Sequence, residues 1–344
     1  MRLLTEDNKY KIIKGNILAF LIFLISFFLL KNNPYTVNTY YSNLLYKKMI
    51  FFKNLFFNLS DLAIGEILYF SFICCTIFYF FRKTISINFI ISSTLIVICF
   101  FYVSWGLNYY RPPLERSIAK ENVISEKKLK NLTKYFSIQC NKLRKEINFT
   151  KKNKEDHLIY YKDLIESEND KFKYSSVSLI LSYLGIKGYF NPFTNEANVN
   201  SKIPEILVPI TAYHELAHKQ GFASESNANF IGFLNAYNND NIEIKYSACF
   251  FAFRYLYYEL NKINPNLAQS IYLALDNEVK IDLSRVSNFW MYYANRFQKI
   301  QRSIFDFFLK TQGQKKGVNS YNDVVWLLLS TFDGKDKFIL DENY

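Results

Sequence analysis

The sequence predicts a mainly α-helical chain, with an N-terminal three-helix transmembrane region followed by a helical polar domain holding at most a small β element. Three observations lead there. The long apolar runs crowd into the first 110 of 344 residues. Beyond them, apolar residues recur at the three-to-four spacing of amphipathic helices. Only Gly185–Phe190 and Ala197–Val199, around the turn Asn191-Pro192-Phe193, are β-prone. With 50% hydrophobic and 21% charged residues there is ample apolar surface for a core, which excludes a disordered or low-complexity chain.

The formal net charge of +12 raises the question of nucleic acid. However, Lys, Asn, Ile, Phe and Tyr are abundant throughout and no basic stripe stands out, so no nucleic-acid partner is expected. Cys74, Cys75 and Cys99 lie in apolar runs, and no Cys-x-x-Cys exists to build a cysteine-only zinc site. Cys140 and Cys249 read as two buried thiols, with a disulfide between them the alternative in an oxidising compartment.

The first predicted span takes in residues 12–30, with Lys14 reaching back toward the interface, because Ile17–Leu30 alone is shorter than the ~20 residues a bilayer requires. No small-residue cleavage site follows it, so an uncleaved helix is preferred to a signal peptide. The second span is Leu62–Phe81. Its one charge, Glu66, lies a turn from the start, where it can reach the interface; a functional intramembrane carboxylate is the sharper alternative. The third span, about 85–105, follows after a short turn containing Arg82 and Lys83. Positive charges favour a cytoplasmic N-terminus: Arg2, Lys9, Lys11, Lys14, Arg82 and Lys83 would lie inside, and Lys31, Lys47, Lys48 and Lys53 outside. Residues 1–110 then form the membrane region, and residues 111–344 a domain outside the cytoplasm.

Arg111-Pro112-Pro113 ends the last span, since neither proline continues a helix interior. Leu129, Leu132, Tyr135, Phe136, Ile138 and Leu143 recur among lysines, predicting an amphipathic helix over Ser125–Ile147 that packs on the domain. Further helices are expected at Ser175–Leu184, Val208–Gln220, Ser226–Tyr237, Tyr246–Asn261, Leu267–Asn277, Val286–Lys310 and Tyr321–Phe332.

Two of the three histidines fall in His214-Glu215-Leu216-Ala217-His218. On a helix, residues four apart share a face, so two imidazoles there can bind one Zn²⁺. Glu215, one position on, leans toward the open coordination site and can take a proton from a zinc-bound water. The neighbouring Thr211, Ala212, Leu216 and Ala217 let that face be buried. Gly221 can end the helix in a left-handed cap and turn the chain back to deliver a third ligand. Glu225 is the preferred third ligand, against a charge favoured by the helix dipole or a simple surface residue. Asn229, a turn further, would orient a histidine ring. Glu205, Glu196 and His157 are fallback ligands, although His157 lies in a lysine-rich stretch and reads better as exposed. Tyr246 and Arg254 are candidate oxyanion donors.

Several runs carry a family resemblance: Gly106–Arg111, Gly188–Asn200, Tyr213–Ala223, Ala228-Asn229-Phe230 and Gly317–Tyr321. Together they resemble the bacterial membrane proteins catalogued as domain of unknown function 3810. The resemblance implies a zincin-like, HExxH-type domain in the bacterial inner membrane. Family members usually carry Glu-x-Glu-Ala-Asn after the glycine, whereas here Asn227 replaces the second glutamate. Glu-x-x-Ala-Asn is similar to the Glu-x-x-Ala-Asp of membrane zinc peptidases acting on prenylated or misfolded membrane proteins. On that comparison Glu225 is the ligand. In such peptidases a strand upstream of the metal helix pairs with substrate, a role open to Gly188–Phe190 or Ala197–Val199, with Asn195, Asn198 or Asn200 adding hydrogen bonds.

The expectation is therefore a membrane-anchored zinc metallopeptidase. His214, His218 and Glu225 would hold Zn²⁺ and Glu215 would act as general base, with the lipid bilayer and a peptide or protein substrate as partners. One rival is a non-catalytic envelope protein with a structural or vestigial metal site. A transporter is the other, disfavoured because transporters usually need paired repeats of spans.

Overall fold

A computed structural model describes residues 20–82, 87–112, 114, 125–147, 154–167, 170–334 and 337–338. Predicted features at residues 1–19, at Lys83 and at Pro113 lie outside the described residues. Helix α1 (Phe20–Lys31) is followed by α2 (Pro34–Phe57), bent 101° from it. The bend has a local cause. Asn33 caps α2 by accepting from the Thr36 N–H, and Pro34 at the first helical position cannot extend α1. Most of α2 falls where the sequence predicts only a connecting loop.

Helix α3 (Ile64–Phe81) is long and apolar enough to cross a bilayer, with lipid-type side chains exposed all round. Helix α4 (Ile87–Ser104) has a shorter apolar stretch, and α1 reaches span length only together with α2. Thus one or two of the helices described are of spanning length, where the sequence predicts three.

The polar half is built on α5 (Glu126–Glu146), which buries Leu129, Leu132, Phe136 and Cys140 along one face, as the periodicity predicts. Then come α6 (Lys154–Ile165), β1 (Phe172–Tyr174), α7 (Ser178–Leu184), β2 (Gly188–Asn191) and β3 (Glu196–Val199). The sheet order is β1-β3-β2, with β1 parallel and β2 antiparallel to the buried central β3. Next are α8 (Val208–Lys219), α9 (Glu225–Tyr237) and α10 (Ile242–Ile263). α11 (Pro265–Leu273), α12 (Asn277–Tyr292), α13 (Arg296–Thr311) and α14 (Asp323–Thr331) complete the chain. α10 packs along α5, and α8 lies between the sheet and α9. Cys140 and Cys249 are buried free thiols.

Two expectations are corrected. Helix α6 occupies the lysine-rich stretch, and its His157, Tyr161 and Ile165, spaced one turn apart, point into the core. His157 is therefore 2% exposed, with Nδ1 3.9 Å from Glu243, and is neither a surface residue nor near the other histidines. The helix expected over Val286–Lys310 breaks between α12 and α13. There Asn295 is extended and its side chain accepts from the Phe297 and Gln298 N–H groups, starting a new helix.

A buried ion pair joins the sheet to the start of α3. Lys173 Nζ lies 2.7 Å from Glu196 Oε1 and also donates to the carbonyls of Phe57 and Leu62. The Glu196 carboxylate accepts from the N–H groups of Ile64 (2.9 Å) and Gly65 (2.7 Å) and from the Thr194 hydroxyl. A carboxylate at a helix N-terminus satisfies donors that have no partner within the helix. Only glycine fits at position 65, because a Cβ would come within 2.0 Å of Asn191 Nδ2. Glu66 is likewise used at the junction, accepting from Ser175 Oγ, the Ser176 N–H and Tyr189 Oη. Lys173→Met leaves Glu196 buried without its cation and is expected to destabilise the fold by about 3 kcal/mol. A thermal unfolding scan of the detergent-solubilised protein, read against the wild type, checks this.

Candidate metal centre

Helix α8 starts with Pro209 in its first turn and carries His214 and His218 on one face, with ring centroids 4.7 Å apart and planes at 86°. It ends as the sequence predicts. Gly221 adopts φ 90°, its N–H bonds the His218 carbonyl and the Phe222 N–H bonds the Ala217 carbonyl. This reversal also brings the Phe222 carbonyl 2.8 Å from His218 Nδ1. A proton on Nδ1 leaves Nε2 as the free lone pair, so the helix cap sets the tautomer that a metal ligand needs.

After the turn, Ser224 caps α9 by accepting from the Asn227 N–H, and Glu225 is the first helical residue. Its Oε2 lies 3.3 Å from His214 Nε2 and 3.5 Å from His218 Nε2. That oxygen is buried. Two ligand atoms at zinc distances on a tetrahedron stand about 3.3 Å apart. The spacing around Oε2 is thus one that three ligands of a single ion would have. Among the described residues these three form the one group of histidine, cysteine and carboxylate side chains close enough to hold a metal. The His214 side chain is 14% exposed, against 8% for His218 and 5% for Glu225, so the site opens on the His214 side.

Gly232 brings α9 close enough for Glu225 to reach. A Cβ there would lie 2.8 Å from the His214 backbone nitrogen. Gly188 does the same for strand β2 and Glu215, since a Cβ would come 2.9 Å from Glu215 Oε1. Glu215 is buried beside the triad, and burial pushes its carboxyl up to about 8 against the opposing pull of His218 and Lys187. Burial lowers the Lys187 ammonium to about 8, with the Arg254 charge adding to the effect. His214 is lowered by burial. Burial works against the charge on His218 too, but Glu225 outweighs it and raises the ring to about 8. Burial opposes the Glu225 charge as well, yet the His218 charge and both imidazoles hold it well below the usual carboxylate range.

The other expected residues lie elsewhere or play other parts. Glu196 sits in the latch with Lys173, and Glu205 pairs with Arg285. Tyr246 donates to Asp282 at 2.8 Å inside the core, which removes it as an oxyanion donor. Asn229 stands beside the Tyr255 hydroxyl, and the contact made to the His218 ring comes from a backbone carbonyl instead. Asn227 lines a small cavity with Asn108, Tyr109 and Phe222, so of the two positions in the acidic motif it is Glu225 that meets the histidines. Asn195, Asn198 and Asn200 are engaged internally, by Asn54, the Glu196 carbonyl, and Ser182 with the Ile186 carbonyl. β3 has both edges paired, and among the described residues β2, whose Gly188 lies against Glu215, has an edge with no strand partner.

Sequence reasoning missed Lys187 and Tyr255. Tyr255 adjoins Arg254 and Asn229 and feels the Glu225 charge, and burial pushes its hydroxyl up to about 12. The signal for Lys187 was a single cation between Ile186 and Gly188 in an otherwise uncharged stretch. Also missed were two donors from the N-terminal half. Trp105 Nε1 donates to the His218 carbonyl at 3.0 Å, and Tyr46 Oη to the Lys219 carbonyl at 2.8 Å.

A family model described as "Protein of unknown function (DUF3810)" matches residues 41–329. The chain belongs to this family. No curated protein and no solved structure matches it. The DUF3810 match runs from within α2 to within α14, so it takes in α3, α4 and the histidine-glutamate cluster together.

Gly232→Ala in this DUF3810 chain would push α9 away from α8, with an expected cost of about 1–3 kcal/mol from overpacking. Thermal unfolding gives the cost.

Proposed function

We propose that this chain is a membrane-anchored, zinc-dependent metallopeptidase of the HExxH type, working on peptide or protein substrates outside the cytoplasm. One observation carries the reading: a buried carboxylate oxygen with two imidazole nitrogens at 3.3 and 3.5 Å, the spacing of ligands around one small ion. His214, His218 and Glu225 would hold Zn²⁺, which when bound supplies Lewis acidity toward a carbonyl and lowers the pKa of water.

The chain's own groups suit the rest of the chemistry. Glu215 is buried, next to the triad but not in it, with a carboxyl pushed up to about 8. A carboxylate so placed beside a zinc-bound water could take its proton and return it to the leaving amine. Tyr255 keeps its proton at neutral pH, because burial pushes it up to about 12, and so can donate to a developing oxyanion. The free edge of β2 offers backbone donors and acceptors to an extended peptide, with Gly188 leaving room beside Glu215.

The membrane part of the proposal has three spans, α1 with the residues before it, α3 and α4. The apolar exposure of α3 supports it, as does the excess of positive charge at the N-terminus and at the turn after α3.

Glu215→Gln is expected to keep one zinc per chain by metal analysis while losing roughly 100-fold or more in peptide hydrolysis. Equal hydrolysis by variant and parent would remove Glu215 as the base. Separately, Glu225→Ala is expected to bind zinc at least ~10-fold more weakly in a competition titration with a chromophoric chelator. Unchanged affinity would exclude Glu225 as a ligand, and bound zinc without cleavage of any peptide library would point to a structural ion.

A further inference from the structure

Helix α13 has three faces where a helix packed on a soluble domain has two. Phe305, Phe308 and Leu309 turn toward the protein, and Leu309 is fully buried. Phe297, Ile300, Ile304 and Phe307 share a second face and are 55–70% exposed. At 100° per residue these four fall within a quarter of the helix circumference. The third face is polar and basic, with Lys299 and Arg302 exposed. From Arg296 to Lys316 there are six basic residues and one acid, Asp306; Lys310 pairs with that acid and Lys316 with Asp323.

The position of α13 says what the apolar face meets. Phe308 packs at 6.1 Å centroid distance on both Phe101 and Tyr109, and Tyr102 Oη donates to Gln312 Oε1 at 3.1 Å. These partners belong to the last turn of α4 and the 3₁₀ turn that follows it (Gly106–Tyr110). Tyr102, Tyr109 and Tyr110 there are half-buried amphipathic rings of the type that gathers at a bilayer interface. Lys31, at the end of α1, lies 5.5 Å from the Tyr110 ring centroid, so α1 and α4 end at one level. α13 is fastened at that level. Its exposed apolar strip therefore continues the apolar surface of the spanning helices, beside cations suited to anionic headgroups.

We propose that α13 lies in the plane of the membrane surface, with Phe297, Ile300, Ile304 and Phe307 sunk below the headgroups of an anionic bilayer. Its basic residues face the lipid phosphates. α7 shares the platform. It exposes Leu179 and Ile180, and Asn295 Nδ2 at the start of α13 donates to the Tyr183 carbonyl. Because α7 leads directly into β2, this contact holds the edge strand beside Glu215 close to the lipid surface. The inference rests on α3 and α4 being spans and is independent of any metal.

The test uses the full chain in nanodiscs containing phosphatidylglycerol, with the photo-crosslinking amino acid p-benzoylphenylalanine placed singly at Ile304, Phe307, Lys299 or Phe72. Phe72 is an exposed side chain of α3 and reports on the span itself. Lipid adducts at positions 304 and 307, measured by mass spectrometry, are expected to exceed those at 299 by about fivefold and to approach those at 72. Lipid adducts at 72 with equal yields at 304, 307 and 299 would overturn the in-plane placement alone. No adduct at 72 would remove the span and the proposal with it. Chain-to-chain adducts at 304 would assign the face to a second copy and overturn the bilayer contact. None of these outcomes bears on zinc content, so the metal reading stands or falls separately.

Discussion

Everything near the site is organised around one carboxylate oxygen buried between two imidazoles. A buried anion without aligned hydrogen bonds costs several kcal/mol unless a positive charge answers it. Protonating His218 is one answer, and the rise of that ring to about 8 shows how strongly Glu225 calls for a cation. A divalent ion is the other answer, and it would satisfy all three groups at once. The glycines at 188, 221 and 232 serve this constraint. One admits the strand, one turns the chain, and one seats the second helix against the first.

The same helix depends on the N-terminal half. The last carbonyls of an α-helix have no partner within it. In α8 those of His218 and Lys219 are taken by Trp105 and Tyr46, and the Gly221 carbonyl accepts from Arg111. Val37, Tyr41, Tyr46, Trp105, Leu107 and Ala223 form a second small core at this junction. At the other end of the interface, Lys173 and Glu196 hold the start of α3. The histidine helix is thus held by the N-terminal half as well as by the polar core.

Local features were legible in the sequence. The α5 periodicity, the i,i+4 histidines, the glycine stop at 221 and the arrival of Glu225 all follow from spacings of a few residues. Features set by distant partners were not. The lysines around His157 hid a helix whose one buried face depends on packing, and the break at Asn295 hinged on a single cap. Tyr255 was passed over for Arg254 because helical phase alone does not say which of two adjacent polar side chains faces the site. Lys187, Trp105 and Tyr46 reach it through the fold, from 27, 109 or more positions away in the chain. Of the three apolar runs, α3 alone is of spanning length by itself among the described residues, α4 has a shorter apolar stretch and α1 reaches span length only with α2.

The shared carbonyls make the polar half a poor candidate for excision. A fragment beginning at Arg111 would lose Trp105 and Tyr46, bare the end of the histidine helix to solvent and leave half of a small aromatic core without its complement. Such a truncate would fray at the segment that carries His218 and Glu225. A disturbed cluster in it would report the cut, whereas the intact polypeptide keeps the partners that hold His218 and Glu225 in place.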